Sequence, residues 1–411
     1  MPNAYIVQCV RTAGGKKNGR LSKWHPISLG AAVLDEVVAR AGIDGSLIDD
    51  VIVGCVSQSG AQAGNIARNM VLASANIPET VPGTSVDRQC GSSQQAIHFA
   101  AQAVMSGVQD VVIAAGVEHM SSVPIGSNIA DGFKAGHGLP MNESINGKYG
   151  KRLAARGLKM FSQFEGAEIL AEKYNITREE MDRFAVASHS KALAATQKGY
   201  FKREIVALKG QDKQGKEVVH DADEGIRPST NMDGLGKLKS LKEMQSKGKL
   251  KGIITAGLAS QICDGAAAIL ICNEAGLRKL GVQPKAKIVS LALAGDDPVM
   301  MLGGPIPATE SALKKAGLRM SDMDLYEVNE AFCSVPLAWA KAFGADLNKL
   351  NVNGGAMALG HPLGGTGAKL MTTLVHEMER RGSRYGIQAI CEGGGTANAT
   401  IIERVTTSSK L

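Results

Sequence analysis

One order of elements occurs twice in this 411-residue chain, and that duplication limits the folds open to it. AYIVQCVRT (4–12) reads as a strand, a helix over about 28–41 ends in AGI, and DVIVGCV (50–56) reads as a second strand. The same order returns as AKIVSLALAG (286–295), a helix over ATESALKKAGL (308–318), and DLYEVNEAF (324–332), with Asp50 and Asp324 in matching places. It then continues. A helix after Cys90, closed by Gly107 and followed by VVIAAG (111–116), has its counterpart in GGTGAKLMTTLVHEM, closed by Gly382 and followed by GIQAIC (386–391). The pattern predicts an α/β protein built by duplicating one βαβαβαβ unit, with a parallel-rich sheet in each half. The halves are expected at 1–275 and 276–411. Residues about 120–250, which include a predicted helix over roughly 165–198, have no counterpart in the second half. They are expected to form an inserted domain over the face where strand C-terminal ends bind ligands.

Composition narrows the function classes. Forty-nine glycines with only 4% aromatic residues suit tightly packed layers and argue against a base-stacking RNA binder. The net charge of +7 is partly concentrated in KYGKRLAARGLK (148–159), which reads equally as a solvated basic face or a site for an anionic ligand. A nucleic-acid partner is not expected. Seven scattered cysteines without a CxxC fit a reducing compartment, so neither a disulfide framework nor a metal site is expected. No apolar run has transmembrane length, and the N-terminus lacks the pattern of a signal peptide. The chain ends Ser409-Lys410-Leu411, the receptor-read peroxisomal address. That makes the peroxisome the expected location, with an import receptor as partner, and the cytoplasm the location otherwise.

SVDRQCGSSQQAI (85–97) carries the first chemical signal. Apolar residues at Ala96, Ile97, Ala100, Ala101, Val104 and Met105 predict a helix with one buried face, so Cys90 falls at its N-terminus. Unpaired N–H groups and the macrodipole there favour an anion, which is expected to ease ionisation of the thiol. A small buried hydrophobe is the other reading of Cys90. The duplication sets His361, in GHPLGGTGAK (360–369), at the equivalent helix start, where it can face Cys90 as the base of a nucleophilic thiol. NEAF (329–332) ends a strand, TAGLAS (255–260) precedes DGAAA, and CEGGG (391–395) ends a strand in a glycine turn. A cysteine in such a turn can move a proton while nearby N–H groups hold an oxyanion. GGTGAK lacks the spacing of a triphosphate-binding loop.

With RQCGSS, NEAF, GHPLGGTGAK, TAGLAS…DGAAA and CEGGG in this order, nearly the whole chain resembles the thiolases, the acetyl-CoA acetyltransferases and 3-ketoacyl-CoA thiolases. The resemblance implies a thiolase fold: two duplicated βαβαβαββ halves in a five-layer αβαβα core, with an inserted loop domain. It also implies roles. Cys90 is the nucleophile that carries the acyl group. His361 activates Cys90 and, with a water held by Asn329, forms one oxyanion hole. Cys391 is the acid/base at the acetyl α-carbon, and the N–H groups of Cys90 and Gly393 form the second hole. Arg227 and Ser260 match residues that contact coenzyme A, a co-substrate; no cofactor is implied. The implied activity is CoA-dependent cleavage of 3-ketoacyl-CoA in fatty-acid or related β-oxidation, by a homodimer or homotetramer.

The chain departs from the family pattern at Asp87, Leu258 and Cys263, and at MFSQFEGAE (160–168). In the last, Ser162, Gln163 and Phe164 replace the His-Met-Gly element of short-chain enzymes. A longer or bulkier acyl chain is therefore expected, and a strict acetoacetyl-CoA enzyme is the alternative. Ketoacyl and hydroxymethylglutaryl-CoA synthases lack the pairing of GHP with CxGGG. A catalytically silent acyl-CoA-binding or lipid-transfer protein would have lost one of Cys90, Asn329, His361 or Cys391, and all four are present.

Overall fold

The computed structural model describes residues 2–245 and 252–406. Ser409-Lys410-Leu411 and part of the Gly/Lys-rich stretch 210–251 lie outside the described residues.

Two similar strand arrangements meet edge to edge. From its outer edge the first runs Gly83–Val86, Asp50–Gly54, Val111–His119, Cys263–Cys272 and Ala4–Thr12. The second runs Leu325–Val328, Tyr385–Glu392, Thr396–Arg404 and Ala286–Gly295. They join where Ala4–Thr12 pairs antiparallel with Ala286–Gly295, Ala4 opposite Ile288. The sheets are mixed, which corrects the parallel-rich expectation. Strands 50–54, 83–86 and 111–119 are parallel, as are 325–328 and 385–392, but the strands nearer the join pair antiparallel.

Five layers follow from where each helix buries its apolar stripe. Pro26–Ala41 and Ile66–Ala73 cover the outer face of the first sheet, through Leu29, Val33, Leu34, Val37 and Met70. Pro305–Ala316 and Ser334–Phe343 cover the outer face of the second, where fully buried Trp339 donates to Thr309 Oγ1 at 2.9 Å. Between the sheets lie Ser92–Ser106 and Thr366–Arg381, sharing one core with strands of both halves. Each of these middle helices ends in a left-handed glycine, Gly107 at φ 75° and Gly382 at φ 71°.

The middle helices start very close to their neighbours. A Cβ at Gly367 would lie 2.2 Å from the Gln94 backbone N, and one at Gly54 would lie 2.3 Å from that of Ser93. Real Cβ atoms do not approach that closely, so hydrogen alone fits at these positions. This is the physical use of the glycines in GGTGAK. Ala368 N–H donates to Ser93 Oγ at 2.9 Å, tying the two helix starts together.

Several element boundaries differ from the sequence reading. The predicted helix over roughly 165–198 is two helices, Gln163–Lys173 and Arg178–Gln197. The break is Asn175, at φ 48°, followed by a capping box between Thr177 and Glu180. The strand predicted over 324–332 is only Leu325–Val328, so NEAF forms the turn after it. In the basic segment 148–159, Arg152 pairs with Asp297 and Arg156 with Glu172, while Lys148, Lys151 and Lys159 are exposed.

Candidate active site

Cys90 is delivered by a strained turn. The Asp87 carboxylate accepts from Gln89 N–H at 2.8 Å, and Ser92 Oγ donates to the Gln89 carbonyl at 2.6 Å. Gln89 is held at φ 49°, a left-handed conformation uncommon outside glycine. Gly91 then caps the helix Ser92–Ser106. Cys90 is left partly exposed, packed against Val56, Met120 and Leu363. Its ionisation runs against the sequence-based expectation. Burial of the thiol pushes its pKa up to about 12, and the carboxylates of Glu392, Glu118 and Asp87 push the same way. Desolvation and three acids outweigh the helix N-terminus. This thiol keeps its proton and needs a base.

His361 lies in the turn between Ala356–Leu359 and Leu363–Gly365, five residues ahead of Thr366 rather than at the helix start itself. The duplicated pattern placed it one turn too far along, because GHPLGG forms its own short helical turn first. Its Nδ1 is 2.5 Å from Thr366 Oγ1, and the Thr366 hydroxyl donates to the Pro362 carbonyl at 3.1 Å. Thr366 Oγ1 is thus the acceptor, which assigns the ring proton to Nδ1 and leaves Nε2 as a lone-pair acceptor. Burial, then the nearby Lys369 charge, pulls the His361 pKa down to about 3. The imidazole is neutral at physiological pH and oriented to take a proton at Nε2.

Asn329 follows its strand directly and is fixed by a backbone bond to the Ala389 carbonyl at 3.0 Å. Its Nδ2 is 3.4 Å from His361 Nε2. Next to it, buried Glu330 accepts from Ser188 Oγ at 2.8 Å, Asn351 Nδ2 at 2.9 Å and Met357 N–H at 3.1 Å, which locks the NEAF turn. Cys391 is the last residue but one of the strand Tyr385–Glu392 and is buried. Burial, then the proximity of Cys90, raises its pKa well above that of a free thiol. The two sulfurs are electrostatic neighbours. A Cβ at Gly393 would lie 2.9 Å from Gln89 Oε1, so the CEGGG turn packs on the turn that presents Cys90.

Arg227 and Ser260 reach this centre through Gln261. Ser260 N–H donates to the Ala331 carbonyl at 2.9 Å, beside NEAF. Gln261 Nε2 donates to the Gly225 carbonyl at 2.7 Å, and the Gln261 carbonyl accepts from His361 N–H at 3.0 Å. Arg227, two residues after Gly225, is exposed, with its backbone N–H on His189 Nδ1 at 3.1 Å. Sequence reasoning missed Thr366, Gln261, Glu118 and Lys369. Buried Glu118 gathers Val56 N–H, Ser57 N–H and Gly364 N–H at 2.9, 3.0 and 2.9 Å. Lys369 Nζ bonds the carbonyls of Leu359 and Gly360, just before His361. It belongs to a buried cluster in which Arg11 pairs with Glu204 and Asp223. Thr366 and Lys369 had a signal, since both lie in the same motif as His361; Gln261 and Glu118 are joined to the site only by the fold.

A protonated thiol, a neutral imidazole beside an asparagine, and a second buried thiol are groups that covalent acyl transfer can use. Residues 4–275 match the thiolase N-terminal domain and residues 282–404 the thiolase C-terminal domain, and the chain belongs to the thiolase family of acyltransferases. It is 49% identical to a steroid 3-ketoacyl-CoA thiolase of Mycobacterium tuberculosis, over 98% of this chain and 95% of that protein. It is 41% identical to a 3-ketoacyl-CoA thiolase of Yersinia pestis, over 98% of this chain and 100% of that one. The crystal structure of the Bacillus anthracis acetyl-CoA acetyltransferase superposes with a TM-score of 0.86 at 38% identity, covering 98% of this chain and 99% of that one. Human mitochondrial 3-ketoacyl-CoA thiolase gives 0.84 at 34%, with the same coverage.

Proposed function

We propose that this thiolase cleaves 3-ketoacyl-CoA thioesters with coenzyme A, as a step of β-oxidation, and that its acyl group is longer or bulkier than that of acetoacetyl-CoA. In this reading Cys90 gives its proton to His361 Nε2, and the thiolate attacks the C3 ketone. The imidazolium Nε2–H, next to Asn329, then faces the developing oxyanion. The C2–C3 bond breaks, and acetyl-CoA leaves as an enolate held by the N–H groups of Cys90 and Gly393. Cys391 protonates its α-carbon, and its raised pKa suits a group that holds a proton until a carbanion demands it. Coenzyme A, bound by Arg227 and Ser260, gives its thiol proton to the Cys391 thiolate and takes the acyl group from Cys90, whose released sulfur recovers its proton from the His361 imidazolium. The observation that carries the mechanism is the pairing of a proton-retaining Cys90 with a His361 kept neutral.

Phe164 supports the substrate class. It packs edge-on against Phe332 of NEAF, ring centroids 5.7 Å apart. Beside it lies a cavity of 260 Å³ lined by Leu158, Phe164, Leu241 and Ile254 on its apolar side and by Arg156, Glu165, Glu168 and Lys242 on its charged side. A space of that size with an apolar side suits more than an acetyl group. The test is intact-protein mass after brief mixing with 3-ketoacyl-CoA esters of increasing chain length, beside Cys90→Ser. An acyl adduct on wild type alone is expected, forming fastest with the longer or branched esters. A rate that peaks sharply at acetoacetyl-CoA would favour a strict short-chain enzyme, and the absence of any adduct would leave a silent binding protein.

A further inference from the structure

Glu392 is a buried carboxyl, next to Cys391 in the chain and packed against the start of the Cys90 helix. It follows Cys391 on one strand, so its side chain points to the opposite face, towards the helix cap. A Cβ at Gly91 would lie 2.0 Å from Glu392 Oε1, which places that oxygen directly against the helix cap. Oε2 accepts from Thr396 Oγ1 at 2.6 Å, while Oε1 is buried without a hydrogen-bond partner among the described residues. Asn398 Nδ2 donates to the neighbouring Gly91 carbonyl at 3.0 Å. A carboxylate oxygen left unpartnered in a dry site is costly, whereas a carboxylic acid tolerates such a place.

We propose that Glu392 is a positioning residue that sets the protonation balance of the Cys90–Cys391 pair, working as a neutral acid and holding the nucleophile back when it ionises. The proposal rests on Cys90 being the acyl carrier. The groups facing Glu392 are Asp87 and Arg88 from the turn before the helix, Thr396 from the next strand, and the two thiols. Burial raises its pKa to about 7; the Thr396 hydrogen bond and Arg88 oppose the rise, and Asp87 adds to it. The same carboxylate heads the charges that raise Cys90. Physiological pH therefore falls where this acid changes charge, and its charge acts on Cys90. The sign is definite: as pH rises through 7, ionisation of Glu392 disfavours the Cys90 thiolate.

The test is the pH dependence of iodoacetamide alkylation of Cys90, read on the Cys90 peptide by mass spectrometry in the full-length protein, for wild type and Glu392→Gln. It needs no turnover, so its failure is separable from failure of the acyl-adduct experiment. Wild type should show an inflection near pH 7 that flattens the rise in rate. Glu392→Gln should lose the inflection and react about tenfold faster at pH 8, the effect of one pKa unit. Superimposable profiles, or slower alkylation in the variant, overturn the proposal. Thr396→Val keeps the carboxyl and removes a bond to its ionised form, so the inflection should move to higher pH. That variant decides the matter if Glu392→Gln does not fold; an unmoved inflection overturns the proposal.

Discussion

The two middle helices occupy equivalent places in the duplicated fold, yet the groups they present are held in opposite ways. Beside the first stand Glu392, Glu118 and Asp87, and Cys90 keeps its proton to a pKa of about 12. Beside the second stands Lys369, and His361 stays unprotonated down to about 3. Both sites are desolvated, so both groups are neutral at rest; the flanking charges reinforce this with opposite signs. What the difference teaches is that burial and flanking charge, not the helix start, decide the resting state of each group. In the proposed reaction, a neutral donor and a neutral acceptor develop charge only when substrate supplies an electrophile.

Removing the donor should break this pair most severely. Cys90→Ser is expected to lower kcat by ~10⁴-fold or more in CoA-dependent thiolysis, since an alcohol does not replace the thiol at this centre. Its thermal midpoint should differ from wild type mainly at alkaline pH. A folded-state pKa above that of the unfolded thiol contributes stability below about 8.5, lost as pH rises towards 12. Removing the acceptor comes next. His361→Asn should cost ~10³-fold in kcat. Its stability signature lies at the other end of the scale: native His361 stays neutral while the unfolded chain takes a proton near ~6.5, so wild-type stability from this residue is lost as pH falls from there towards 3. The difference in midpoint between wild type and His361→Asn should move in the variant's favour on acidification. Midpoint differences that do not change with pH would end the comparison.

Thr366→Val sharpens the same contrast. It leaves both reacting groups in place and removes the acceptor on Nδ1. Loss of a buried hydrogen bond worth ~1.5–3 kcal/mol in orientation predicts a fall in kcat of about ten- to a hundredfold, with KM for the acyl substrate unchanged. Arg227→Ala lies outside the pair and should have the smallest effect, a several-fold rise in KM for coenzyme A at constant kcat. A drop in kcat instead would mean that the Gln261 link transmits loop position to His361.

Much of this was legible in the sequence because the duplicated half is local pattern repeated. Strand 286–295 came out residue for residue, and the helices closing at Gly107 and Gly382 were marked by the glycines that end them. The candidate residues Cys90, Asn329, His361 and Cys391 stood in recognisable motifs. What was not legible depends on partners distant in the chain. Strand direction near the join is set by pairing between Ala4–Thr12 and Ala286–Gly295, which no local window contains. The thiol's pKa was expected to fall because the helix start is visible in sequence, whereas Glu392 and Glu118 arrive from other strands. Gln261 acts through backbone carbonyls, and so does Lys369 at the end of the His361 motif; the contacts themselves leave no residue-type signature.

Gly54 and Gly367 have a consequence for how this enzyme can be lost. They carry no functional group, yet Gly54 sets the helix that bears the nucleophile against its strand, and Gly367 sets it against the helix behind the base. One added methyl at either would meet backbone at 2.2–2.3 Å and force the layers apart. Proton transfer tolerates little extra distance. Drift at two chemically mute positions would therefore silence acyl transfer while leaving every reactive side chain in the sequence.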